Sequence, residues 1–335
     1  MELDLHITNK CNLYCKHCIY ESNDKEVPDM SLNTVDSIIP SIKTLEIGEV
    51  HLTGGEPLLH PDIYEIIDRL NGAGLSVRLQ TNGYAVDEGT AKKLSERGVE
   101  SVLVSLDGTE TVHNKFRGNA GSYKLAVNAI EVFVKSGMAV RVNTVLHKNN
   151  ISCIKPILES SKALGAEKHS FFYLSPGGRG RNIRDLILSL REWHCAVKEV
   201  REVSEALNMA DKVKYQYLIA DLKTEPSECR LIDRDNCLIM CNGDVYPCVF
   251  FVNSGFSLGN VNNENLFDIW RKGGKWDNYR TERKKKCGDL KCGGGCMGLT
   301  YLLNGNISGC DPRCDLEYGL VPGCIRSYNE AAEHI

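Results

Sequence analysis

Strand and helix patterns alternate six times over about the first 175 of 335 residues, which predicts an α/β fold with a parallel sheet and crossover helices. Polar and cysteine residues gather directly after the strand patterns, where open sheets and barrels alike place their sites. Ten of the fifteen cysteines fall between 229 and 324, which marks a smaller cysteine-rich α+β domain behind the first. The alternation alone does not separate an open sheet from a barrel.

Leu3, Leu5 and Ile7 carry the first strand. Ser31 is placed to cap a helix with Leu32, Val35, Ile38, Ile39, Ile42 and Leu45 on its apolar face, kinked or split by Pro40. Glu49–Leu52 forms the second strand, and Ile63, Ile66, Ile67 and Leu70 mark a helix ended by Asn71-Gly72. Leu75–Gln80 is the third strand, closed by Thr81-Asn82-Gly83; Asp87 caps a helix running towards Arg97-Gly98. Ser101–Leu106 is the fourth strand, followed by a helix over Ser122–Ser136 that Gly137 stops. Ala139–Leu146, a helix over Ile151–Leu164 and a strand over Lys168–Leu174 complete the alternation. Ser175–Arg181, with three glycines and two arginines, reads as a solvated linker or as a cationic loop able to clamp a carboxylate or phosphate. A long amphipathic helix over Ile183–Leu207 follows, then a connection over 208–228 with a strand-like Tyr215–Ile219.

The first strand leads into Cys11-Asn12-Leu13-Tyr14-Cys15-Lys16-His17-Cys18, three cysteines spaced C-x3-C-x2-C. Three thiolates this close can hold a cubane [4Fe–4S] cluster and leave one iron open to a small molecule. A structural zinc site with a distant fourth ligand is the alternative. The second strand leads into Thr53-Gly54-Gly55-Glu56-Pro57.

This pair of motifs, in this order and at these strand ends, resembles the radical S-adenosylmethionine (SAM) superfamily over roughly residues 1–175. The resemblance implies a partial (β/α)6 TIM-like barrel over residues 1–180. It implies that Cys11, Cys15 and Cys18 hold the cluster, that SAM chelates the open iron, and that one electron cleaves the sulfonium to a 5′-deoxyadenosyl radical. That radical takes hydrogen from an unactivated carbon of a substrate. Gly54 and Gly55 then admit the methionine moiety, Glu56 accepts from its ammonium, and Pro57 fixes the strand end. His17 packs near the adenine. Gln80, Ser105 and Asn143 line the methionine and ribose, although Thr-Asn-Gly and Asp-Gly are also common turn formers. Leu174 covers the adenine or packs as a plain core leucine.

The composition, 42% apolar and 25% charged, is ordinary for a globular protein. A net charge of −4 gives no basic field for nucleic acid, and no apolar run is long enough to span a bilayer. Met1-Glu2-Leu3-Asp4 begins a strand at once, without the pattern of a signal peptide. Fifteen cysteines without an export signal point to a reducing cytoplasm and metal ligation rather than disulfides.

Residues 229–335 resemble the SPASM domain, an auxiliary-cluster extension of radical SAM enzymes, joined through a helical bridge over 181–228. Cys241–Cys248 reads as a hairpin with an Asn-Gly turn, and Gly243-x4-Cys248, Cys292-x3-Cys296 and Asp311-Pro312-Arg313-Cys314 fit the family pattern. The C-x2-C-x5-C element is shortened to Cys287-x4-Cys292, so one usual ligand is absent. By analogy, Cys229, Cys248, Cys296 and one of Cys237 or Cys241 hold a first auxiliary cluster. Cys287, Cys292, Cys314 and one of Cys310 or Cys324 hold a second; a single auxiliary cluster or zinc-ribbon sites are the alternatives. Cys153 and Cys195 fall outside both sets and read as buried packing residues, or as a thiol that gives hydrogen to a substrate radical.

SPASM enzymes mostly mature peptides and proteins, so the resemblance implies a peptide substrate. Small-molecule tailoring, such as a radical epimerase or dehydrogenase acting on a sugar or aminoglycoside, is the rival. Maturation of a haem or quinone precursor and a non-enzymatic scaffold are further readings. No winged-helix leader-recognition segment precedes the first strand, so a peptide would dock directly or through a separate recognition protein. Val249, directly after Cys248, stands where anaerobic sulfatase maturases carry an acid, against that activity. A flavodoxin or ferredoxin would supply electrons.

Overall fold

The computed structural model of the protein describes residues 1–23, 26–215, 236–272, 296–307 and 311. Six βα steps build the first part. The strands are β1 (Glu2–Thr8), β2 (Glu49–Gly54), β3 (Ser76–Thr81), β4 (Val99–Ser105), β5 (Ala139–Leu146) and β6 (Lys168–Tyr173). Between them run α1 (Leu32–Thr44), α2 (Ile63–Gly72), α3 (Glu88–Glu96), α4 (Glu110–Arg117) with α5 (Ser122–Lys135), and α6 (Ile154–Ala163). Each strand pairs in parallel with the next, Leu3 opposite Val50, Val50 opposite Val77, and Ser105 opposite Asn143. This is the partial (β/α)6 barrel, with every crossover helix on one face.

The sheet extends at both ends. After α7 (Leu190–Ala206), β7 (Val213–Tyr215) adds beside β6. On the other side β8 (Asn236–Ile239) runs parallel to β1, and β9 (Asp244–Tyr246) and β10 (Gly259–Asn260) follow antiparallel. The ten-stranded order is β10-β9-β8-β1-β2-β3-β4-β5-β6-β7. The hairpin turn of β8 and β9 is the expected Asn242-Gly243, with Gly243 at φ +89°. Two short helices, α8 (Leu266–Arg271) and α9 (Met297–Asn304), complete the described elements.

Alternation along the strands decides what faces the helices. Leu3, Leu5 and Ile7 are fully buried against Val35, Ile38 and Ile42 of α1, together with Val50, Leu52, Val77 and Leu79. Each such side chain contributes roughly 1.5–3 kcal/mol of burial. The residues between them turn to the concave face. At its floor His51 Nδ1 lies 3.4 Å from Asp4, Asn236 Nδ2 donates to Asp4 over 3.3 Å, and Arg78 pairs with Glu49 and Glu100. A second apolar cluster joins Phe171, Tyr173 and Trp193 under α6 and α7, and a third joins Leu238, Tyr246, Phe251 and Met297.

Three expectations change. α1 runs through Pro40 without a break. The helix expected over 183–207 is a 3-10 segment, Gly178–Leu186, and then α7, whose start Ser189 and Glu192 fix with a capping box. α4 was not anticipated, because eight residues with only Val112 and Phe116 as large apolar positions carry almost no periodic signal. Of the strand-like Tyr215–Ile219, only Tyr215 lies within the described residues. Among the described residues, no helix is long and apolar enough to cross a membrane.

Candidate active site

Three elements brace the cysteine loop after β1. The end of β2 lies against it: Gly55 N–H donates to Thr8 O and Glu56 N–H to Lys10 O, each over 2.8 Å. A Cβ on Gly55 would sit 2.2 Å from Lys10 O, and one on Gly54 2.5 Å from Thr8 O. The glycines are therefore demanded by the contact between two strand ends, a cause separate from any bound ligand. The second brace is α4, whose Phe116 O accepts from Lys16 N–H at 3.1 Å. The third is the glycine-rich segment after β6. Arg179 is buried there, its Nε donating to Cys15 O and an NH group to Ser22 O, each over 2.8 Å. Its guanidinium lies 4.0 Å over the Tyr14 ring. Gly178 adopts φ +53° with Cys18 O and Ile19 O both 2.4 Å from where a Cβ would be. Arg179 thus neither floats in a linker nor clamps a substrate, and Arg181 pairs with Glu21 over 2.6 Å. Both arginines hold the chain's own loop.

Within the loop Cys11, Cys15 and Cys18 are free thiols. Leu13 N–H reaches Cys11 Sγ over 3.4 Å, Asn82 Nδ2 reaches the same sulfur over 3.9 Å, and an Arg117 NH group reaches Cys15 Sγ over 3.8 Å. Burial pushes the Cys11 thiol up to about 12 and raises that of Cys15, while Arg117 pulls Cys15 back towards the thiolate. Cys11 and Cys15, whose thiols burial raises yet which face N–H donors and, at Cys15, a cation, suit a bound metal, which deprotonates its thiol ligands outright. The donor set fits a cluster held by three cysteines.

Glu56 is fully buried. Oε1 accepts from Thr81 Oγ1 at 2.8 Å and Leu58 N–H at 3.3 Å, and Oε2 from Asn82 N–H at 2.8 Å. A carboxylate offers about four lone-pair sites, which leaves one for a ligand. Burial pushes its carboxyl up to about 7 against these hydrogen bonds. Thr81 enters the site only through this contact. Pro57 opens the short 3-10 turn Pro57–Leu59.

The polar strand ends fall where expected on β3, β4 and β5. Gln80 is exposed, Ser105 is buried and Asn143 lies directly opposite Ser105, its carbonyl accepting from Leu106 N–H at 2.9 Å. Leu174, just past β6, is buried. His17 stacks on Phe116 at 4.1 Å and 3°, and Phe116 on His147 at 4.0 Å. Burial brings His17 down to about 3 and His147 to about 4, so this three-ring wall is uncharged at neutral pH.

Behind it lies a buried ion pair. Asp107 Oδ2 accepts from Arg117 Nε over 2.6 Å and Oδ1 from Val145 N–H over 2.8 Å. The arginine holds the Asp107 carboxyl well below the carboxylate range despite full burial. Arg117 and Arg179 had no local signature; both reach Cys15 from more than a hundred residues away.

Among the C-terminal cysteines, Cys248 and Cys296 come together. Each caps a helix, Cys248 Sγ accepting from Phe250 N–H at 3.5 Å and Cys296 Sγ from Leu299 N–H at 3.4 Å. Burial raises the Cys248 thiol, and the charge of Cys296 raises it further. The two caps touch so closely that a Cβ on Gly298 would lie 2.6 Å from Phe250. Cys237 and Cys241 do not join them. β8 pairs Cys237 with Leu3 and Ile239 with Leu5, so Cys237, Ile239 and Cys241 pack in the helix-side core with Leu3 and Ile7, whereas Leu238 packs near Cys248. The expected sharing of one cluster by Cys237 or Cys241 with Cys248 and Cys296 meets this opposition of faces, which follows from the period of two along a strand. Burial, and then the charge of Asp4, raises the Tyr20 phenol; it hydrogen-bonds Thr53, and Cys18 and Cys248 lie near enough to add a smaller push. Cys229, Cys287, Cys292, Cys310, Cys314 and Cys324 lie outside the described residues. Cys153 is buried as expected; Cys195 is exposed on α7.

Comparison with known proteins bears on this arrangement. Residues 5–161 match the radical SAM superfamily, and residues 229–297 match SPASM, an iron–sulfur cluster-binding domain. The chain is 26% identical over 347 residues to AdoMet-dependent heme synthase of Oleidesulfovibrio alaskensis, spanning 96% of this chain and 88% of that protein. It is 28% identical over 332 residues to mycofactocin maturase MftC of Mycobacterium ulcerans, spanning 95% and 88%. Among solved structures, Streptococcus suis SuiB bound to its precursor peptide SuiA superposes with a TM-score of 0.74 at 19% identity, over 89% of this chain and 72% of that one. The structure of anSMEcpe with bound AdoMet superposes with a TM-score of 0.74 at 22% identity, over 99% and 96%. The two structures share the fold. A cysteine loop and GGEP turn at adjoining strand ends, with a cysteine-rich extension paired onto β1, thus place the chain in the radical SAM superfamily, as an enzyme with a C-terminal SPASM domain that uses a [4Fe–4S] cluster with S-adenosylmethionine and auxiliary iron–sulfur clusters.

Proposed function

We propose that the enzyme cleaves S-adenosylmethionine reductively at Cys11, Cys15 and Cys18 and uses the product radical to mature a peptide. The observation that carries the cleavage site is the set of three free thiols on one braced loop, two of them, Cys11 and Cys15, facing N–H donors. When bound, the cluster supplies one electron to the sulfonium. The chain's own residues do the rest. Glu56 keeps one lone pair for the amino group of SAM. Gln80, Ser105 and Asn143 hold its polar atoms along three adjoining strand ends. The His17–Phe116–His147 wall and Leu174 keep water from the cysteine loop. We assign residues 1–180 to the barrel, 181–228 to the bridge and 229–335 to the auxiliary-cluster domain. Cys248 and Cys296 share a cluster, with Cys229 and one further cysteine outside the described residues completing it. A flavodoxin or ferredoxin donates the electrons.

The name of MftC as a maturase and the peptide-bound SuiB support a peptide substrate. A second reading, modification of a haem precursor, is favoured by the heme synthases among the relatives. Anaerobically reconstituted protein with reductant and SAM is expected to release 5′-deoxyadenosine; a reconstituted protein holding zinc and releasing none would overturn the cleavage. Genes for a short precursor peptide beside the coding gene, and hydrogen lost from that peptide in mass spectra, support maturation. Turnover of an iron porphyrin instead would transfer the assignment to the second reading.

A further inference from the structure

Cys15 is bracketed by two buried guanidinium groups. Arg179 donates to its carbonyl over 2.8 Å and so holds the backbone. Arg117 points an NH group at its sulfur over 3.8 Å and so faces the ligand atom itself. The Arg117 side chain is 11% exposed and the Asp107 side chain 0%, so water screens neither charge well. Asp107 takes Arg117 Nε over 2.6 Å and is pinned in turn by Val145 N–H. The pair is thus an oriented dipole, cation towards the cysteine loop and anion away from it.

We propose that Arg117 is a positioning residue that sets the reduction potential of the N-terminal cluster through the Cys15 sulfur, and that Asp107 limits its effect. This inference rests on the assignment of Cys11, Cys15 and Cys18 as cluster ligands. One electron enters from an external low-potential donor, and the charge of the bound group falls by one. Nothing is protonated and no bond breaks, because a guanidinium stays charged throughout. A fixed cation beside a ligand sulfur favours the more negative state, and hydrogen bonds and net charge around the sulfurs are established levers on cluster potential. The two partners must act with opposite signs. Removing Arg117 makes reduction harder; removing the Asp107 charge makes it easier. A merely structural ion pair gives no such crossing.

The test is an electron paramagnetic resonance redox titration of the full-length, anaerobically reconstituted protein. The N-terminal signal is identified as the one that changes on adding SAM. Relative to the unsubstituted protein, Arg117→Gln is expected to lose at least tenfold in reduced-to-oxidised ratio at fixed potential. For a one-electron couple that is a midpoint about 59 mV more negative. Arg117→Lys is expected to stay near the unsubstituted value, and Asp107→Asn to move the other way. Iron content and thermal unfolding check that each variant is folded and loaded. Arg117→Gln titrating together with the unsubstituted protein would overturn the proposal. Should that variant fail to load iron, Asp107→Asn decides alone: a midpoint unchanged or more negative overturns it. An unsubstituted protein without a SAM-responsive signal would instead defeat the ligand assignment beneath it.

Discussion

The two cysteine groups are built on different supports. The N-terminal loop is held from three sides by the chain's own backbone and two arginines. Cys248 and Cys296 instead cap two short helices, one 3-10 segment of three residues and α9 of eight, over a small apolar cluster around Phe251 and Met297. Helices this short gain little from backbone hydrogen bonding alone. The contrast teaches that one site is a feature of the barrel, whereas the other depends more heavily on what its cysteines bind.

The strongest way to break that contrast is to remove a ligand from the braced loop. Cys15→Ala is expected to abolish 5′-deoxyadenosine formation and to lose about four irons, one cubane. The auxiliary irons should remain, because strand pairing and apolar burial, rather than Cys15, hold the barrel together. Iron counting and the product assay measure both; retained cleavage, or loss of all iron together, defeats the separation. Next in size is Gly178→Val. A branched side chain would have to occupy φ +53° with two carbonyl oxygens 2.4 Å from its Cβ. Strain of this kind is expected to cost on the order of 2–3 kcal/mol, read from urea unfolding of the metal-free protein. It should also weaken cluster retention at the N-terminal site more than at the auxiliary one. An unchanged unfolding midpoint would show that the glycine-rich segment is no brace.

How much of this was legible in the sequence follows from contact range. The cysteine loop and the GGEP turn were placed correctly because each is a local signal directly after a strand. Glu56 was legible as a candidate, but the partners that hold it, Thr81 and Asn82, lie on the next strand end. The braces were not legible at all. Arg117 meets Cys15 across 102 residues and Arg179 meets it across 164, and nothing in either local pattern names the partner. Arg179 was mistaken for a free cation because a glycine-rich neighbourhood reads as a loop, whereas here the glycines permit a close backbone approach. Cys237 and Cys241 stayed alternatives because spacing alone does not tell which side of a strand a cysteine faces; the register sets Cys237 opposite Leu3.

A smaller effect comes from pH. The folded Glu56 carboxyl is raised to about 7 from an ordinary value of 4.5, so the folded state prefers its protonated form. Whatever stability this gives the ligand-free protein is present below 4.5 and is lost as pH rises towards about 7. Binding of SAM carries the opposite sign, since its amino group needs the carboxylate. Affinity is therefore expected to rise about tenfold per pH unit below 7 and to level off above it. Calorimetric titration across that range measures it, and a flat profile would mean that Glu56 does not contact the ligand.

The least perturbing change sharpens the contrast most. Cys237 is fully buried, opposite Leu3 and in one apolar cluster with Ile239 and Val245. Valine is close to cysteine in size and suits a strand, so Cys237→Val is expected to cost less than about 1.5 kcal/mol. The same experiment on Cys248, whose sulfur faces Cys296, should remove about four irons. If instead Cys237→Val loses iron as Cys248→Ala does, β8 must turn its other face to the cluster, and the parity argument from its pairing with β1 fails. Full iron in the first variant and loss in the second would divide the C-terminal cysteines by strand face, assigning Cys237 to the barrel core and Cys248 to the metal.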